Sequence, residues 1–434
     1  MSVLTVLPVD SDYVRNMSNT LGEPAWVTEL RLAALESAAK LDLPKLEKTR
    51  IDRWNLGSYG KYKAENRVAS TAELQSIIGV LPEEEQPGTS VLVQRNSSVV
   101  YTKLAEDLAA KGVVFTDLHT AMRDHEKLVR PYFLTAVGYE ENRFTALHAA
   151  IWNGGVFVYV PRGVVIDVPL QAYLHSDDPE ATFAPHIVIV AEDNSKVTYV
   201  DNRTSAGDDK LIHSAVVEIF AKPGAHVRFA SIHNLGESVT DLCYRRAVVD
   251  NDASIEWIVG EMNHGDSMTD TSSVLRGGGS SSDAKVINVG TKKQRLNLTT
   301  RAVHIGRNSK SQMLTRAVMK DEASAIINGI TKIEKGATGA FGEQTEKVLM
   351  LSPKARGDAN PMLLIDEDEV MAGHAASAGQ VNPEHIHYLM SRGITKEAAE
   401  KLIIYGFLAP IVSEIPIESL EEQLQQLVER KLGS

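Results

Sequence analysis

The spacing of apolar positions changes twice along the chain. Up to about residue 150 it is mostly helical, from Gly154 to about Leu351 it is short and β-like, and the remainder is helical again. Residues 10–80 read as helical: Pro24 suits a first helical position, and Trp26, Val27, Leu30, Ala33 and Ala34 fall on one face. Pro44 and Pro82 interrupt this pattern, and residues 82–88, PEEEQPG, read as a solvated loop. A strand over 90–94, a turn at Arg95-Asn96-Ser97-Ser98 and a return over 99–101 predict a hairpin. Helical spacing resumes over 104–111 and 120–134.

At Gly154 the texture changes. Val156, Phe157, Val158, Tyr159 and Val160 form a β-branched and aromatic run that is apolar on both faces. Pro161-Arg162-Gly163 turns the chain, and residues 164–168 repeat the character of the run. Turn signals then recur at Asp193-Asn194-Ser195, Lys222-Pro223-Gly224, Asp250-Asn251-Asp252, Gly277-Gly278-Gly279, Arg307-Asn308-Ser309, Asp321-Glu322 and Lys335-Gly336. Their spacing is about 28 residues and later about half that, a weak internal period of the kind solenoids give. A parallel β-helix and an antiparallel double sandwich both produce short strands with polar turns, and periodicity alone does not choose between them.

The last stretch predicts three helices. Asn382 caps one that starts at Pro383 and runs to about Ser391, with Gly393 at its C′ position. Thr395 caps a second, ending near Gly406, and Ser419 with Glu422 forms a capping box for a third over 420–432.

Composition narrows the function classes. A chain of 434 residues exceeds one ordinary core, so two or three domains or one elongated repeat body are expected. The net charge of −12 argues against nucleic-acid binding, which depends on Lys and Arg neutralising phosphates. Cys243 is the single cysteine, so no disulfide forms within the chain and no iron–sulfur cluster can take its four usual thiolates from it. Cys243 sits between Leu242 and Tyr244 and reads as a small buried hydrophobe. No run of about 18 apolar residues offers a membrane span, and the N-terminus carries no signal-peptide pattern, so a cytoplasmic location is expected. There is no G-x-x-x-x-G-K-[ST] phosphate loop, and Gly277-Gly278-Gly279 reads as a flexible turn.

Two blocks carry a family resemblance. One is FTALHAAIWNGGVFVYVPRGVVIDVPL, residues 144–170, with GGVFVYVPRGV at its centre. The other is VMAGHAASAGQVNPEHIHYLMSRGITKEAAEKLIIYGF, residues 370–407, preceded by Pro361-Met362-Leu363-Leu364-Ile365. In this order, about 200 residues apart, they resemble the SufB/SufD family of iron–sulfur cluster assembly proteins. Within it the chain is most like SufD, the member without the scaffold cysteines. The region matching the SufB thiols, residues 329–350, has no cysteine.

The resemblance implies a right-handed parallel β-helix core over 151–365, after an N-terminal mainly helical region, 1–150, and before a C-terminal helical SufC-docking domain, 366–434. It implies a non-catalytic scaffold that pairs with SufB through the β-helix and takes ATP hydrolysis only through SufC. Sulfur-donor proteins act indirectly, reduced flavin is a candidate cofactor of the whole complex, and a transient cluster is shared with SufB. A homodimer is an expectation for the chain in isolation, because β-helix ends carry unpaired strand edges. His374, in His374-Ala375-Ala376-Ser377, matches the SufD histidine at the SufB interface and is the candidate cluster or metal ligand; an imidazole that only hydrogen-bonds across the interface is the bland alternative. Tyr388, Leu389, Arg392, Gly393, Ile394, Leu402, Ile403 and Phe407 are the candidate SufC contacts.

Other residues have weaker readings. His385 and His387 lie about 200° apart on a helix and cannot face one ion, so one packs and the other is exposed. Asp366-Glu367-Asp368-Glu369 reads as a solvated turn, although hard cations take carboxylates. Glu343 and Glu346 fall in the terminal coil, where a carboxylate faces a partner or merely charges an edge strand. Two other functions stay open: a β-helix carbohydrate-active enzyme, for which no carboxylate pair stands out, and an adaptor without cluster chemistry.

Overall fold

From Val156 onward, consecutive strands go to opposite sheets, so the chain winds as a coil. The computed structural model describes residues 7–75, 88–415 and 418–433, with the backbone alone at 418–420. Its strands form a ten-stranded and a nine-stranded sheet, and the strands from Val156 onward pair with one another only in parallel. Leu211 pairs with Val239, Ser254 with Ser281 and Lys310 with Phe341, one coil apart each time. The result is a β-solenoid of about eight turns, and the antiparallel sandwich is excluded. The predicted hairpin is present as Ser90–Arg95 against Ser98–Lys103, and it closes the first edge of the ten-stranded sheet. Val114–Asp117, which has no strand signal of its own length, pairs antiparallel with Val156–Val160 and closes the other sheet. Residues 164–168 are not a strand; only Val165 makes an isolated bridge, to Lys196.

One corner of the coil repeats through most of the body. Gly163, Asn194, Gly224, Asp252, Gly279, Asn308 and Gly339 all have φ between 54° and 73°. Each donates its N–H to a carbonyl in the next coil: Gly163 to Asp193, Asn194 to Pro223, Gly224 to Asn251, Asp252 to Gly278, Gly279 to Arg307, Asn308 to Thr338 and Gly339 to Glu369, at 2.7–2.9 Å. Glycine alternates with Asn or Asp because a side chain at one level fills the space above it. A Cβ on Gly279 would lie 2.3 Å from Asp252 Oδ1. The glycine triplet at 277–279 is therefore a packed corner, not a flexible turn.

Helices cover the outer face of each sheet. Ser11–Leu21, Ala25–Lys40 and Arg143–Ile151 lie over the nine-stranded sheet and share a core with its Val188, Val216 and Tyr244. The helical reading of 10–80 holds only to Lys40; residues 41–70 run extended across the surface with one short 3-10 turn, and the loop at 82–88 falls mostly outside the described residues. Within Ala25–Lys40, Ala33 is exposed and Arg31 is buried instead. Arg31 pairs with Glu23 at 2.6 Å, donates to Ala150 O and stacks over Trp152, so its charge is fully partnered. The pattern over 120–134 is broken at His125 into Leu118–Asp124 and Glu126–Val129.

The C-terminal helices are not a free-standing domain. Pro383–Ser391 begins at its Asn382 cap as expected, and Thr395 caps Lys396–Val412. The latter does not stop near Gly406. It continues through Pro410 because Leu408, Ile411 and Val412 pack on the ten-stranded sheet against Val200, Ile232, Ile258 and Ile287. The last helix, Glu418–Gly433, adds Leu424, Leu427 and Val428 to this layer; the side chain of Ser419 lies outside the described residues. The strand Met371–Gln380 continues the ten-stranded sheet, so the solenoid extends past the expected boundary at 365.

Candidate functional site at the open end of the solenoid

Parallel pairing in register stacks like-placed side chains into rows, and one row leads to His374. Leu170, Tyr199, Phe229, Trp257, Ala284, Met313, Gln344 and His374 are successive partners along the ten-stranded sheet. The members before Gln344 lie in the solenoid interior. Partners in adjacent parallel strands share a face, so His374 ends this interior row at the last coil. No coil stacks above it among the described residues, and His374 is exposed. The last two strands, Arg356–Ile365 and Met371–Gln380, are exposed or half-buried along their whole length, unlike every strand between. Their apolar side chains include Met371, 67% exposed, and Leu364, 49%. This end is an uncapped pair of sheet edges.

The neighbouring interior row ends in Thr315, Glu346 and Ala376. Glu346 is 2% exposed, and its Oε2 has no hydrogen-bond partner in the structure. Burial pushes its carboxyl up to about 7. Across the lumen stands Gly329, where a Cβ would lie 1.9 Å from Glu346 Oε1 and 3.1 Å from Gln344 Oε1. Gln344 is held by Thr331 Oγ1, which donates to its Oε1 at 3.2 Å, and by its own donation to Met362 O. Glu343, three residues earlier, is on the opposite, exposed face.

A second interior cluster lies mid-solenoid. Asp241 accepts from His213 Nδ1 at 2.7 Å, His233 Nδ1 at 2.8 Å and Asn263 Nδ2 at 2.8 Å, all fully buried. Burial opposes the charge on Asp241, but His233 and His213 outweigh it and hold the carboxyl well below its usual range. The ligand atoms of these three residues lie within 4.8 Å of one another. Arg245 nevertheless donates to His233 Nε2 at 2.9 Å, which places the imidazole proton on Nδ1, facing Asp241. That lone pair is not free for an ion, and the cluster is a hydrogen-bonded core element. Cys243 belongs to it: Leu242 and Tyr244 face outward, while the thiol faces inward beside Arg203 at 3.7 Å. Its surroundings are charged, contrary to the apolar reading, and burial pushes the thiol up to about 11, so it stays protonated.

The remaining candidates separate by exposure. Tyr388 and Leu402 are 58% and 52% exposed, Arg392 and Gly393 are exposed, and Leu389, Ile394 and Ile403 are half-buried. Phe407 is engaged within the chain, under the Arg316 guanidinium at 5.2 Å. His385 and His387 are both exposed, so neither packs as expected. In the acidic run only Glu367 is buried, accepting from Gly336 N at 2.8 Å and closing the turn. The inward alternation of Gly342, Gln344, Glu346 and Val348 was the available signal for Glu346, and Asp241-x-Cys243-x-Arg245 was the signal for the mid-solenoid cluster.

The comparisons with known proteins agree with this geometry. Residues 85–172 match the SufBD protein N-terminal region, and residues 173–407 match the SufBD core domain of the SUF iron–sulfur cluster assembly system. The chain belongs to the SufBD family. It is 46% identical over 437 residues to the iron–sulfur cluster assembly protein SufD of Bacillus subtilis (strain 168), covering 100% of both chains. SufBD family proteins of Staphylococcus saprophyticus and Staphylococcus epidermidis are each 31% identical over 415 residues, covering 93% of this chain and 89% of theirs. The chain is therefore a SufD homologue. Among the described residues, no helix is long and apolar enough to cross a membrane.

Proposed function

We propose that the chain is a non-catalytic scaffold subunit that works with SufB and SufC in building nascent iron–sulfur clusters. The observation that carries this reading is the uncapped last coil, whose interior row ends in the exposed His374. Two unpaired sheet edges suit continuation by a second β-helix, and a SufB partner there would meet the imidazole. Iron and sulfide are cargo at this interface; His374 supplies one nitrogen ligand, and the missing thiolates come from SufB. ATP acts only through SufC, docked on the exposed side of the C-terminal helices. Helix Pro383–Ser391 begins three positions after the strand that carries His374, so a pull on it reaches the last coil directly.

Family membership favours this reading over the carbohydrate-enzyme alternative. The adaptor reading is separated by one experiment: copurification with SufB and SufC, then anaerobic reconstitution with iron and sulfide. His374→Ala is expected to lower cluster yield several-fold while the complex stays intact. Loss of the complex would make His374 structural, and unchanged yield would leave an adaptor.

A further inference from the structure

Glu346 lies at a level where the fold does not call for a charge. The same interior row carries Val259, Val286 and Thr315 in the preceding coils. A buried carboxyl with an unpartnered oxygen costs stability that a Val or Thr there would avoid. The fold also makes room for it: Gly329 leaves open the space its carboxyl occupies, and Gln344 Oε1 points to the same space. Above Glu346 the last coil offers only Ala376, and His374 lies two positions away on that strand, on the same face. From strand spacing and rise, the Cα atoms of His374 and Glu346 are about 8 Å apart, a distance that an imidazole and a glutamate span with an ion between them.

We infer that Glu346 is a second protein ligand, with His374, for a divalent cation held just inside the open end of the solenoid. Gln344 Oε1 completes the protein side as a neutral oxygen. One imidazole with oxygen donors suits Fe²⁺ and its borderline relatives rather than a thiophilic ion. The inference rests on the cluster-interface reading only in that it makes iron the physiological ion. It adds an iron-holding step by this chain before sulfide and the SufB ligands arrive. No electron transfer is involved: the cation replaces a proton on Glu346 and binds the imidazole lone pair.

The test uses the full chain alone, with Co²⁺ as a spectroscopic probe under anaerobic conditions. Wild type is expected to bind one Co²⁺. Glu346→Gln and His374→Ala should each weaken binding at least tenfold, and Glu343→Gln, on the outer face, should not change it. Glu346→Gln should melt no lower than wild type, since it removes an uncompensated buried acid. If it does not fold, a crystal of the wild type soaked in Co²⁺ decides, with the anomalous peak expected between His374 and Glu346. Unchanged affinity in Glu346→Gln, a peak elsewhere, or no binding by the wild type overturns the inference. None of these touches the interface reading, which stands or falls on copurification and reconstitution.

Discussion

At the residue scale, strand alternation made the core legible but concealed its polar members. Val156 to Val160 and the aromatic rows follow from β-branched and aromatic patterning. Arg31, Asp241, Arg245 and Glu346 do not, because a charge in a period-2 or helical pattern is read as solvent-facing until its partner is known. The partners of the first three come from other elements, as when Ala150 O on another helix meets Arg31 or His213 on the preceding strand of its sheet meets Asp241, and Glu346 Oε2 has none in the structure. Buried histidines give a pH prediction. Burial holds His186 down to about 3 and His304 down to about 4, although Ser309 Oγ and Ser311 Oγ bond the latter's ring. The unfolded chain, titrating near 6.5, binds more protons than the folded one between these limits, so stability falls as pH drops from about 6.5 towards 4. His304 alone contributes on the order of 3 kcal/mol to this loss. Urea unfolding of His304→Gln across pH 4–7 should show a shallower slope than wild type; an equal slope would mean His304 is not held neutral.

At the element scale, the turns were the most readable feature and the strands between them the least distinctive. Asn, Asp and Gly at about 28-residue intervals mark the left-handed corner that only these residues occupy cheaply. What the spacing did not contain was direction. Parallel and antiparallel packing share the same turn chemistry, and only long-range pairing such as Leu211 with Val239 separates them. Helix ends were legible where a cap decides them, at Asn382 and Thr395, and not where tertiary packing does, past Gly406. The corner ladder makes a paired prediction. Gly279→Ala forces a Cβ into φ +70° and against Asp252, and should destabilise by about 1–2 kcal/mol. Asn308→Gly, at the same corner one coil on, keeps an allowed conformation and should stay within about 0.5 kcal/mol of wild type. Equal losses in chemical denaturation would show that the corner's contacts, and not its backbone conformation, set the cost.

At the scale of the whole molecule, the C-terminal helices have two faces, one packed on the solenoid and one open to solvent. Leu408, Ile411, Leu424 and Val428 face inward and cover an apolar stripe of the ten-stranded sheet, where Gly260 leaves room for Leu424 at 3.3 Å from its ideal Cβ. Lys431 donates to the backbone carbonyls of Asn263 and Val289 and ties the last helix to the coil. Removing residues 382–434 would bare this stripe to water, so truncation is not a clean test of partner binding; the shortened chain should aggregate. The outward face tests the proposed docking of SufC. Tyr388, Met390 and Leu402 are 45–58% exposed, and none belongs to the layer on the sheet. Tyr388→Asp with Leu402→Asp should therefore leave the melting temperature within about 2 °C of wild type, as surface changes do. The same double variant should lose SufC in pull-down, because a charge on each helix removes the apolar anchors of a docked partner. Leu424→Ala should do the reverse, costing about 2–4 kcal/mol of stability while SufC remains bound to the folded fraction. Retained SufC binding in the double variant would move the docking site off these helices, to the solenoid itself.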